Sequence, residues 1–156
     1  MHRRGRHPAR LPHGFTLVEL MVVLVILGLA GVAVALTAPG DGRRLALEAD
    51  TLAARLVRAQ EEAILTTRAV QVTVDAGGYT FARQDFGDWQ PLDDGPFGPV
   101  TWNEGTALVG DADHRVSFRF DPAGGARTGE VQLQRDGQKV RVAVDAAGEV
   151  VVDGLR

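Results

Sequence analysis

The sequence predicts an α+β protein in which a long N-terminal helix precedes an antiparallel, β-rich globular domain. Three observations predict it. An apolar run reaches from Leu20 to Leu36 without one polar side chain, a helical stripe follows between Arg43 and Thr66, and short period-two segments fill the chain after Ala69. At 156 residues the chain suits one domain and an appendage, not two domains.

Charge divides it the same way. Residues 1–14 carry Arg3, Arg4, Arg6 and Arg10 and no acid, residues 15–39 carry only Glu19, and residues 40–156 carry 13 basic against 19 acidic side chains, a net of −6. The reading is a basic leader over 1–14, an apolar rod over 15–39 and an acidic domain over 40–156.

Counted from Phe15 to Leu36 the rod is 22 residues, roughly 33 Å of helix against a hydrocarbon core of about 30 Å. It is long enough to span a bilayer. A cleaved secretory signal begins similarly, but its apolar part runs about 7 to 15 residues, and Ala33 and Ala35 here are flanked by Val and Leu instead of forming a clear cleavage site. Arginines before the rod and Asp41 after it place the N-terminus in the cytoplasm and residues 40–156 outside, in the periplasm of a Gram-negative cell. Glu19 lies at the edge of this segment, where a carboxylate costs free energy and needs a partner, a task or a reach back to the headgroups.

The string Gly14-Phe15-Thr16-Leu17-Val18-Glu19, after a basic leader and before a long apolar run, resembles the signal of type IV pilins and type II secretion pseudopilins. The resemblance implies that a prepilin peptidase cuts between Gly14 and Phe15, that the new amine of Phe15 is methylated, and that the rod is kept. A glycine at the cut leaves the backbone unhindered. It also implies that Glu19 pairs with the N-terminal amine of a neighbouring subunit during filament assembly.

Thr37-Ala38-Pro39-Gly40-Asp41-Gly42 interrupts the rod, since Pro39 lacks the N–H a continuing helix needs. Asp41 is a candidate cap for a second helix. Over 43–66, Leu45, Ala49, Leu52, Leu56, Ala59 and Ala63 recur at spacings of three and four, predicting an amphipathic helix whose stripe packs on a sheet. Arg55, Arg58, Glu61 and Glu62 then form its solvated face.

Val70–Val74 and Tyr79–Arg83 alternate around Asp75-Ala76-Gly77-Gly78 and read as a hairpin. Residues 84–99, with three glycines and three prolines, read as a long loop. Further strands are expected near Val100–Asn103, Thr106–Val109, Arg115–Phe120, Glu130–Gln134, Val140–Val144 and Val150–Val152. The series Val116-Ser117-Phe118-Arg119-Phe120-Asp121-Pro122, Gly129–Leu133, Val140–Val144 and Gly148–Val150 is similar to the globular domain of the GspH/FimT family. With the N-terminal string, the resemblance is to a pilin-like fold and a minor pseudopilin of the H type.

Chemistry-bearing residues are scarce. Cysteine is absent, Ser117 is the only serine, Lys139 the only lysine, and His114 the only histidine after residue 13. One Ser and one His give a nucleophile no orienting network, and one His without Cys disfavours zinc. Asp111 and Asp113 lack the following Gly and Glu of a calcium loop. Asp85, Asp88, Asp93 and Asp94 crowd the long loop, where solvated acids are the ordinary reading and an oxygen-ligand cation site the alternative. Trp89 and Phe97 there could anchor a partner or be buried under the loop, and the stretch Phe86–Phe97 is the candidate contact patch.

The expected protein is therefore non-enzymatic and without cofactor or metal. The resemblance implies other pseudopilins as partners through the N-terminal helix, with the prepilin peptidase, inner-membrane lipid and the secretion machinery. The alternative is a type IV pilus minor pilin serving pilus assembly or DNA uptake. DNA binding needs phosphate-neutralising cations, which a domain of −6 opposes unless Arg115, Arg119, Arg127 and Arg135 form a local patch.

Overall fold

The computed structural model describes residues 16–37, 40–111 and 113–154. It divides into two compact units, Met1–Ala38 and Pro39–Arg156.

In the first unit, helix α1 (Leu17–Thr37) covers the apolar rod. Its large side chains from Leu17 to Val32 are all exposed, from 41% at Val23 to 76% at Leu17. An apolar surface on every side has no partner within its own unit. Among the described side chains the apolar run ends at Val32, and no helix is long and apolar enough over such residues to cross a membrane.

In the second unit, α2 (Asp41–Thr66) buries Leu45, Ala49, Leu52, Leu56, Ala59 and Ala63, the stripe read from the sequence, and adds Glu48. Each buried leucine contributes about 1.5–3 kcal/mol over an exposed one. The helix starts two residues earlier than the periodicity indicates. Asp41 is not its cap: Gly40 holds that position with extended backbone and no side-chain bond, while the Asp41 carboxylate accepts from Arg135 Nε at 3.1 Å. At the other end Thr67 takes a left-handed conformation, φ 54°, and closes the helix with N–H bonds to Ala63 and Ile64.

Two antiparallel sheets follow. The first contains β1 (Val70–Asp75), β2 (Gly78–Asp85), β3 (Asp88–Pro91), β4 (Val100–Thr101) and β6 (Val116–Phe120), in the order β3-β2-β1-β6 with β4 also on β2. The second is β5 (Ala107–Leu108), β7 (Gly129–Arg135), β8 (Gln138–Val144) and β9 (Val150–Asp153), in that order. Registers such as Val72 opposite Phe81 and Phe118 put alternate side chains of the first sheet on one buried face. Val131, Leu133, Val140, Val142 and Val144 do the same in the second, and α2 packs against strands of both.

The expected loop 84–99 is partly a strand. Phe86 and Gly87 both have positive φ, 51° and 101°, which is the twist a two-residue hairpin turn requires. Asp85 therefore pairs with Asp88 and Gln84 with Trp89. A short 3₁₀ turn lies within the rest, at Gly95–Phe97. Gly78 allows β4 onto β2: any Cβ there would strike the Val100 carbonyl.

Candidate functional site

Gly14 and Phe15, the expected cleavage and methylation positions, lie outside the described residues. The described chain begins at Thr16, whose hydroxyl accepts the Glu19 N–H at 3.2 Å and whose carbonyl accepts the Leu20 N–H at 3.2 Å. Thr16 is thus the N-cap of α1 and Glu19 its third residue, a position where a carboxylate meets the positive end of the helix dipole. The T-x-x-E spacing carries that signal in the sequence. Glu19 is exposed, the sole charge in an otherwise apolar helix.

The globular unit gathers no catalytic set from the residues considered. His114 and Ser117 are both exposed. His114 donates its backbone N–H to the Asp111 carbonyl, and Ser117 lies opposite Thr73 in the sheet. Among the described residues no three His, Cys, Asp or Glu side chains stand together as a metal site. Asp85, one of the crowded acids, is paired with Arg68 at 2.6 Å and Arg83 at 3.4 Å.

The four arginines are used separately. Arg135 is only 9% exposed and is held by Asp41. Arg119 lies over the Trp89 ring, 5.2 Å from its centroid. Arg115 is 3.9 Å from Asp75, and Arg127 is exposed. Of the aromatic residues in the Phe86–Phe97 stretch, Phe97 is buried edge-on against Phe81 at 5.5 Å, so it cannot anchor a partner. Phe86 is fully exposed at the hairpin tip, with the Arg68 guanidinium 5.9 Å from its ring centroid.

A polar network that local sequence patterns do not indicate lies near the start of α2. Glu48, buried on the apolar stripe, accepts from the Asn103 N–H at 2.7 Å and the Thr106 hydroxyl at 2.6 Å. Thr106 in turn accepts from Arg135 at 3.3 Å. Both carboxylate oxygens are thereby satisfied, which is the condition for burying one. The network pins the connection between the two sheets to the helix. Its one sequence signal is Glu48's place between Leu45 and Leu52, three residues after one and four before the other. Tyr79, beside it, has its phenol pKa raised by burial, with Arg55 opposing that rise and Glu48 adding to it.

Comparison with solved structures gives the fold its relatives. The minor pseudopilin EpsH from the type 2 secretion system of Vibrio cholerae superposes with a TM-score of 0.60 at 20% identity, covering 72% of this chain and 95% of that one. A second EpsH structure gives 0.59 at 19%, covering 71% and 97%. The type IV minor pilin FimU of Pseudomonas aeruginosa gives 0.53 at 16%, covering 70% and 87%. No curated protein sequence matches. These likenesses make the fold pilin-like. Residues 10–35 match the prokaryotic N-terminal methylation motif. Residues 48–148 match the type II transport protein GspH, and the chain belongs to that family.

Proposed function

We propose that this chain is a non-enzymatic minor pseudopilin that serves as an assembly subunit at or near the tip of a type II secretion pseudopilus and so supports protein export across the outer membrane. The observation that carries the reading is a GspH-family domain over 48–148 behind a methylation motif over 10–35. Before assembly the protein sits in the inner membrane by its rod, N-terminus in the cytoplasm and domain in the periplasm. The exposed apolar surface of α1 supports this, because it needs lipid or other rods to cover it. Assembly then exchanges lipid for neighbouring pseudopilin rods, after the prepilin peptidase has cut after Gly14.

The test is N-terminal mass spectrometry of protein from the native membrane. The expected mature chain begins at Phe15 with one added methyl on its amine. A start near Ala35–Thr37 would indicate ordinary signal peptidase and end this reading.

The FimU likeness gives a second reading, a type IV minor pilin, and DNA titration separates the uptake role from the secretion one. The domain's net −6 and the dispersal of Arg115, Arg119, Arg127 and Arg135 predict duplex affinity weaker than the usual non-specific range of about 10⁻⁴–10⁻⁶ M at physiological salt. Micromolar binding that disappears when the three exposed ones, Arg115, Arg119 and Arg127, become Gln would favour the uptake role.

A further inference from the structure

The strands of the globular unit end in edges of different kinds. β4 and β5 have two residues each, and β3 closes on Pro91. Along β6 the returning chain covers the outer side, with Ala126 bridged to Phe120 and the Arg127 N–H donating to the Arg119 carbonyl. Short length, proline and a covering segment all keep an edge from pairing further. β9 has none of these. It consists of three valines and Asp153, and among the described residues it pairs only with β8.

Its backbone shows which groups are left over. The Asp145 N–H donates to the Glu149 carbonyl where β8 turns into β9. From that bonded pair the antiparallel ladder alternates, so Val151 and Asp153 direct their N–H and C=O groups to β8, and Val150 and Val152 direct theirs outward. Among the described residues nothing bonds those outward groups.

The side chains at this edge are unfinished in the same way. Val140, Val142 and Val144 of β8 are at most 3% exposed, whereas Val150 and Val152, on the same inner face, are only half-buried. Beside them runs one flank of α2. Arg55 and Glu62 turn the other flank toward the first sheet, through Pro96 and Arg83, while Gln60 donates to Ala147 in the β8–β9 turn. Ala46, Ala53 and Val57 share the Gln60 side by their helical spacing. Ala46 and Ala53 are half-buried and Val57 is 40% exposed.

A bare strand edge beside an apolar helix flank calls for one kind of occupant, another strand. Its backbone meets Val150 and Val152, and every second side chain covers the α2 flank. On the outward face the row along β9 is Glu149, Val151 and Asp153. Arg141 is the one cation directly across the ladder from β9, and it is already shared between Asp153 and Glu130. Glu149 makes no ion pair among the described residues. A second copy of this chain would bring another acidic row against this one, and like charges opposed across strands destabilise a pairing.

We propose that β9 receives a fifth strand for the second sheet from a different protein: an extended segment that alternates apolar residues, facing α2, with Lys or Arg, facing Glu149 and Asp153. The edge belongs to the globular unit, so the proposal goes beyond the filament reading and does not depend on it.

The probe is a synthetic heptapeptide alternating valine with arginine, added to the full chain in detergent. Its controls are valine alternating with glutamate, and the valines and arginines of the probe arranged in two blocks. Amide hydrogen exchange at Val150 and Val152 is the readout. The valine–arginine peptide is expected to slow it by about tenfold or more, and neither control should. Glu149→Lys should weaken the valine–arginine peptide about three- to tenfold and strengthen the valine–glutamate one, since opposed charges become like and the reverse. Val152→Pro removes an outward donor without touching the β8 ladder and should abolish binding; if that variant fails to fold, the charge exchange at Glu149 carries the test. Unchanged exchange, equal protection by a control peptide, or no effect of Glu149→Lys overturns the proposal. Exchange already slow in the free chain overturns it too: dependence on protein concentration would assign the edge to a second copy, and independence to the chain's own residues.

Discussion

Glu19→Ala is expected to leave the protein processed, inserted and folded, yet nearly absent from filaments. The cap of α1 survives the change, because Thr16 accepts from the backbone N–H of residue 19 and not from its side chain. What the helix loses is a carboxylate in its first turn, about 0.3–1 kcal/mol at an exposed site. That is too little to unfold a rod. The expected loss concerns the contact between subunits: an amine in an apolar bundle without a counter-charge is costly to desolvate. Comparing the mature N-terminus, the membrane fraction and the sheared filament fraction of variant and parent checks all three steps. Normal amounts of Glu19→Ala in the filament fraction would remove the pairing role from this subunit.

The second large effect is expected inside the globular unit. Phe118 is fully buried in β6, opposite Val72, and its ring comes so near β7 that a Cβ on Gly129 would meet it at 3.2 Å. It therefore joins the two sheets. Phe118→Ala should destabilise the domain by about 3–5 kcal/mol, a large part of the roughly 5–15 kcal/mol a domain possesses. All core residues of this unit lie between Leu45 and Val152, so residues 40–156 form a unit suited to urea unfolding. Ser117→Ala, one position away on the exposed face of the same strand, should stay within about 0.5 kcal/mol of the parent. Equal effects at the two positions would mean that the alternation of β6 is wrong.

The sequence makes legible whatever repeats with a period. The stripe of α2 is visible because burial on one side of a helix forces spacings of three and four. Val116, Phe118 and Phe120 are visible because a half-buried strand alternates. Strand β3 is hidden: four residues ending in proline offer no period, and its pairing arises from the backbone of Phe86 and Gly87, where phenylalanine is not the usual turn residue. Glu48 is hidden for a different reason. Its stripe position can be read, but its partners Asn103 and Thr106 lie more than fifty residues away, and no local pattern announces a distant hydrogen bond. Asp41 illustrates the same limit. Local rules make it a cap, and Arg135, 94 residues away, claims it instead.

The way α2 is fastened bears on mechanics. Near its start, Glu48 grips the Asn103–Thr106 connection. Near its end, the Gln60 amide donates to the carbonyls of Gly124, at 2.6 Å, and Ala147, at 3.3 Å, in turns that come after β6 of one sheet and β8 of the other. The six-residue stripe from Leu45 to Ala63 runs past both attachments, about 27 Å along the axis. A pull applied at Gly40 along the helix would not peel these attachments one after another. It would load them together, in shear, so such a pull would be carried by both sheets at once.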